Sequence, residues 1–156
     1  MKKRPSRKST SRAAKADRIL VVDDNKGIRE IVASMLTTAG YRCRAVPGGR
    51  QALKLLASGH KFDLITSDIG NEPMDGISLL DQLKRKYPDI PVLMVTAGYG
   101  VSSVLEAMRS GAYGYLLKPF EREQLYFAVQ RALEYCRLKA ENRALRAKLA
   151  RLAGMG

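Results

Sequence analysis

Short unbroken apolar runs alternate along this chain with longer stretches in which apolar residues recur every three or four positions. Ile19-Leu20-Val21-Val22 opens the series, and Ile28, Ile31, Val32, Met35 and Leu36 follow at helical spacing before Gly40. An unbroken run reads as a strand covered on both faces; a period near 3.6 reads as a helix with one covered face. Carried along the chain, the pattern predicts strands at 19–22, 41–46, 63–67, 91–95 and 114–117, and helices at 26–39, 50–57, 76–87 and 101–110. A fifth helix begins after Lys118-Pro119-Phe120 and meets no breaker until Gly154.

Strict alternation of strand and helix implies right-handed crossovers and a parallel sheet. The expected fold class is therefore α/β: a flavodoxin-like, doubly wound, five-stranded parallel sheet in the order 2-1-3-4-5, with five helices, the last one extended. In that order strands 1 and 3 are neighbours at the switch point, the crevice where open α/β sheets bind ligands. The chemistry-bearing residues then gather at one edge. Asp23-Asp24 follows strand 1, Asp68 follows strand 3, Thr96 follows strand 4 and Lys118-Pro119 follows strand 5. Taken singly, Asp23-Asp24 would cap a helix, Asp68 would sit in a turn and Lys118 would be a solvated lysine. Those readings leave unexplained why all of them fall at the same sheet edge. Carboxylates, a hydroxyl and an ammonium at one point are the parts needed to hold a divalent cation and a phosphoryl group.

Composition narrows the alternatives. The 156 residues suit one domain with short extensions, and no run approaches the roughly 20 apolar residues a membrane span needs. The basic N-terminus lacks a following apolar core of signal-peptide length, which points to the cytoplasm. Cys43 and Cys136 are outside any metal-ligand spacing and read as free thiols; His60, the sole histidine, lies in a turn-like stretch and excludes a His-rich zinc site. The net charge of +13 is concentrated at the ends: +7 over residues 1–18, +4 over 134–156 and +2 between them. Residues 1–17 are too polar to bury surface and read as a disordered basic tail. Residues 18–133 form the domain, and 134–156 continue its last helix.

Five separated features, Asp23-Asp24, Asp68, Thr96-Ala97, Tyr115 and Lys118-Pro119, resemble the bacterial response-regulator receiver domain (CheY-like) over about 19–133. The resemblance implies that Asp68 is the phosphoacceptor, taking a phosphoryl group from a histidine kinase in a reaction that depends on Mg²⁺ or Mn²⁺. It implies Asp24 and Asp68 as direct metal ligands, Asp23 acting mainly through water, and the Gly70 carbonyl as a third protein ligand. Lys118 and the metal would offset the charge on the phosphoryl oxygens, and a cis Lys118-Pro119 bond would aim the ammonium inward. Thr96 and Tyr115 would be the switch pair, moving the helix 4–strand 5 face. The chain is then a signalling domain that catalyses its own phosphotransfer and dephosphorylation, not an enzyme acting on a separate substrate. One stretch departs from the family: Asn71-Glu72 stand where Met-Pro is usual, with Pro73 one place later, which alters the path beside Gly70.

Residues 135–152 fit a heptad, with Tyr135, Asn142 and Leu149 at a, and Leu138, Leu145 and Leu152 at d. Glu134 at g can pair with a partner's Lys139 at e, and Glu141 with a partner's Arg146. This segment resembles the linker after the receivers of NtrC-like activators, and a homodimer through 135–152 or through the helix 4–strand 5 face is expected, with a downstream protein as the other partner. The competing reading is a nucleic-acid binder acting through the basic termini. It finds no recognition motif, and Tyr135 is the only stacking aromatic in those ends, so specific nucleic-acid binding is not expected. A phosphatase-like hydrolase needs an acid two residues after its aspartyl nucleophile, and that residue here is Gly70.

Overall fold

The computed structural model describes residues 17–68, 76–97 and 101–155. Five strands, β1 (Arg18–Val22), β2 (Arg42–Val46), β3 (Leu64–Ser67), β4 (Val92–Thr96) and β5 (Gly114–Leu117), alternate with helices α1 (Lys26–Thr38), α2 (Gly49–Ala57), α3 (Gly76–Lys86), α4 (Val101–Arg109) and α5 (Arg122–Met155). The strands pair in parallel in the order β2-β1-β3-β4-β5, as the alternation requires. The central strands are buried along nearly their whole length, whereas the edge strands β2 and β5 are mostly exposed or half-buried.

Successive strand residues point to opposite faces, and two cores result. Leu20, Val22, Ile65 and Met94 pack with Ala52 and Leu56 of α2, Leu79, Leu80 and Leu83 of α3, and Ala107 of α4. Ile19, Val21, Leu64, Leu93 and Val95 pack with Val32 and Leu36 of α1 and Leu125, Val129, Ala132 and Leu133 of α5. Burying one leucine or isoleucine side chain contributes about 1.5–3 kcal/mol, so these two layers fix strand order and register together.

Helix ends follow local chemistry. Asn25 caps α1 by accepting from the Ile28 amide at 3.0 Å. Gly40, at φ 104°, takes the left-handed conformation that turns the chain from α1 into β2. Boundaries move by one or two residues from the sequence expectation: Thr96 closes β4 instead of following it, and Arg18 already belongs to β1. Asp17, assigned from sequence to the disordered tail, lies beside the sheet, where its carbonyl accepts from Arg42 N at 3.2 Å. The rest of that tail lies outside the described residues. α5 runs 34 residues and passes position 134 and Gly154 without a break. None of the described helices is long and apolar enough to cross a membrane.

Candidate functional site

Three side chains of the site ride on backbone that continues the ladder past the strand ends. Asp23 N donates to Val46 O at 3.2 Å, Asp68 N to Val22 O at 3.3 Å, and Lys118 N to Thr96 O at 2.7 Å. Each residue after β1, β3 and β5 is thereby held almost as rigidly as the strand itself. Asp23 and Asp68 are 3% and 7% exposed, and Thr96 is fully buried, so three polar residues are withdrawn from water at one edge of an otherwise apolar sheet.

Lys118 links them. Its Nζ donates to Asp23 Oδ2 at 2.9 Å and to Asp68 Oδ2 at 3.2 Å. Burial pushes the ammonium's pKa down, but the hydrogen bond to Asp23 and the charges of Asp68 and Asp23 outweigh it, and the group stands above the ordinary lysine value. It is therefore a fixed cation at neutral pH. The Lys118-Pro119 peptide is cis, as the resemblance implied. Asp23 is held from behind as well: its Oδ1 accepts from Asn25 N at 2.9 Å, and its carbonyl accepts from Arg29 Nη1 at 2.8 Å.

Asp24, exposed, completes a cluster in which one carboxylate oxygen from each of Asp23, Asp24 and Asp68 lies within 4.8 Å of the others. Two like charges at such a distance repel by about 3 kcal/mol at an effective dielectric of about 20. Three carboxylates that converge as hard oxygen donors fit a small divalent cation such as Mg²⁺ or Mn²⁺. The hydroxyls of Ser67 and Thr96 are buried and have no hydrogen-bond partner among the described residues. A buried hydroxyl left unpaired costs about 1–3 kcal/mol, and such a group at a pocket edge is suited to an incoming oxygen.

The structure thus brings Asp23, Asp24, Asp68 and Lys118 together, with Thr96 on the adjoining strand end. Tyr115 stays apart: it pairs with Met94 in the β4–β5 register and is 46% exposed on the edge strand. Gly70, the Asn71-Glu72-Pro73 stretch and the Gly98-Tyr99-Gly100 loop lie outside the described residues. Of the adjacent pair, Asp23 is the buried carboxylate that accepts from Lys118, and Asp24 is exposed. Sequence reasoning missed Ser67, Asn25 and Arg29. Asn25 carried the cap signal of an Asx residue before a helix, whereas nothing in the sequence marked Arg29 as the group that braces the Asp23 carbonyl.

Comparison with known proteins agrees with this geometry. The family model described as "Response regulator receiver domain" matches residues 19–130. A putative response regulator NtrX-like of Rickettsia bellii is 35% identical over 134 residues, and the regulatory protein AtoC of Escherichia coli is 36% identical over 129. These alignments cover 84% and 83% of this chain but 28% of each relative, so the chain spans little more than a quarter of their length. The crystal structure of NtrX from Brucella abortus superposes with a TM-score of 0.79 at 35% identity, covering 83% of this chain and 29% of that one.

Proposed function

This chain belongs to the response regulator receiver domain family, and we propose that within it Asp68 is the phosphoryl acceptor of a two-component switch. The observation that carries the reading is the Lys118 ammonium held between Asp23 at 2.9 Å and Asp68 at 3.2 Å, beside a third carboxylate. An Asp68 carboxylate oxygen attacks phosphorus as the bond from phosphorus to a kinase histidine nitrogen breaks. The imidazole keeps that electron pair and takes a proton from solvent, and Asp68 becomes an acyl phosphate. Lys118 exchanges part of its contact with Asp68 for a phosphoryl oxygen. The Thr96 hydroxyl gains the partner it lacks by donating to another. Asp23, Asp24, Asp68 and the Gly70 carbonyl would hold Mg²⁺ or Mn²⁺, whose contribution when bound is to offset charge on the transferred oxygens. Attack of water on the same phosphorus returns the carboxylate and releases inorganic phosphate.

Phosphorylation adds nearly two negative charges and strong acceptors at this edge. Thr96 moves toward them, and Tyr115, half exposed on β5, takes the space the hydroxyl vacates. The face that changes is apolar where it meets water: Leu105, Met108, Tyr115, Leu117 and Phe127 are each 40–60% exposed. The chain's output is the contact this face makes with a downstream protein or a second copy. The α5 segment 135–152 supports self-association, because Leu138, Leu145, Leu149 and Leu152 are 55–65% exposed at heptad spacing with complementary Glu and Lys/Arg flanks. The competing nucleic-acid reading through the basic termini gains no support, since the family model that matches residues 19–130 is that of a receiver domain.

The test is incubation with acetyl phosphate and Mg²⁺ followed by intact-mass measurement. One phosphoryl group is expected on the wild type, none on Asp68→Asn and none after chelation. Equal modification of Asp68→Asn would move the acceptor elsewhere.

A further inference from the structure

The opposite end of the sheet carries a cavity of about 420 Å³, within the size range of small-molecule sites. It lies between the body and α5: Lys84 and Asp89 come from the end of α3 and the turn after it, Tyr113 immediately precedes β5, and Tyr135, Lys139 and Arg143 come from the helix. Three cations and one carboxylate line it, and that carboxylate is already engaged, Arg143 Nη1 lying 3.1 Å from Asp89 Oδ1. Lys84 Nζ donates to Pro88 O at 3.1 Å and Ile90 O at 3.3 Å, which leaves one of its three N–H groups for another acceptor. Burial and then the charge of Lys139 depress the Lys84 pKa, and the charges of Asp89 and Cys136 oppose them without prevailing. Tyr113 and Tyr135 form a tilted ring pair with centroids 5.3 Å apart, and Lys139 Nζ sits 5.5 Å from the Tyr135 ring.

We propose that this cavity is a second ligand site, separate from the carboxylate cluster, which binds a small oligophosphate through Lys84, Lys139 and Arg143 against the Tyr113–Tyr135 wall. An oligophosphate presents several negative charges to cations that line one cavity from two elements, which a single chloride or carboxylate does not. Guanidinium and ammonium groups suit phosphate oxygens as fork and point charge respectively. The oligophosphate comes either free or as part of a nucleotide, whose base would lie on the tyrosine rings. Because Lys84 belongs to the body and the other two cations to α5, an occupied site ties the projecting helix to the domain. It would influence the tail without touching the phosphoacceptor edge.

Cys136 lines the same cavity, its Sγ donating to Asp89 O at 3.2 Å, and reports on it directly. In the full chain carrying Cys43→Ser, the rate of Cys136 alkylation is measured against pyrophosphate and against adenosine triphosphate, without divalent metal. Sodium chloride at matched ionic strength is the control. The expected result is saturable protection, with alkylation about tenfold slower once the anion exceeds its dissociation constant about tenfold. Lys139→Gln combined with Arg143→Gln, both exposed positions outside the core, should remove that protection while leaving the thermal midpoint in place. Stronger protection by the triphosphate assigns the site to nucleotides, and equal protection assigns it to free oligophosphate. Protection no greater than that of chloride up to about 10 mM anion, or full protection retained in the double variant, would overturn the proposal.

Discussion

The sheet edge that holds Asp23, Asp68 and Thr96 and the distal half of α5 break the same rule in opposite senses. At the first, charged and polar side chains are 0–7% exposed; at the second, Leu138, Leu145, Leu149 and Leu152 are 55–65% exposed. In the two cores, by contrast, the sheet and its helices bury apolar side chains against one another. Burying carboxylates costs several kcal/mol unless a cation accompanies them, and exposing a row of leucines forgoes burial free energy and risks association. Neither is expected of a sequence shaped only for folding, and the proposed function gives each a companion: a cation and phosphoryl group at the edge, a second copy along the helix. The proximal half of α5, with Leu125, Val129 and Ala132 fully buried, shows that the same helix covers its leucines where the body is there to meet them.

The largest separation between the two regions should appear in phosphorylation kinetics. Lys118→Met removes the cation that bridges Asp23 and Asp68, and modification of Asp68 by acetyl phosphate is expected to slow by about 10²–10³-fold. Leu145→Ser with Leu149→Ser should leave that rate unchanged and instead weaken self-association in sedimentation velocity. A rate loss in the leucine pair would join two regions held here to be independent. Stability should divide along α5 itself. Leu125→Ala opens a hole in the core and is expected to cost about 2–5 kcal/mol in urea unfolding. Leu149→Ala, at an exposed position, should change the isolated chain by less than about 0.5 kcal/mol. A smaller effect belongs to the metal: Mg²⁺ at about ten times its dissociation constant should stabilise the fold by about 1.4 kcal/mol, and Asp24→Ala should abolish that gain.

Most of the fold could be read in advance because apolar periodicity reports burial directly. Strand order, helix number and the gathering of Asp23, Asp24, Asp68, Thr96 and Lys118 at one edge all follow from where unbroken apolar runs end. What could not be read were contacts set by tertiary packing. The depth of Asp23, the Arg29 brace on its carbonyl and the unpaired Ser67 hydroxyl depend on how β1, β3 and α1 meet, and no local pattern encodes that. The same holds for Asp89, an unremarkable turn residue in sequence. In three dimensions it accepts from Cys136 through its carbonyl and pairs with Arg143, so the helix keeps contact with the body beyond the residue where a domain boundary was expected. The heptad in 135–152 was legible as spacing, and the exposure of its leucines is what turns that spacing into a surface.

The smallest effect lies at alkaline pH and isolates the edge from the rest of the chain. Lys118 has a raised pKa in the folded state, where burial is outweighed by Asp23 and Asp68. Between its unfolded value, about 10.4, and its higher folded value, the folded chain binds more protons than the unfolded one. Its contribution is therefore complete below that window and is lost as pH rises through it. Tyr41, raised by burial and the Asp17 charge, contributes a slope of the same sign, whereas Lys84, lowered chiefly by burial, contributes the opposite one as pH approaches its unfolded value from below. Both groups remain in Lys118→Met, so the difference between wild type and variant removes them. Urea midpoints followed from about pH 9 to about pH 11.5 should fall more steeply for wild type than for Lys118→Met. Parallel curves would mean that the ammonium gains nothing from its carboxylates on folding, and the polar edge would lose the internal cation on which its contrast with the leucine stripe rests.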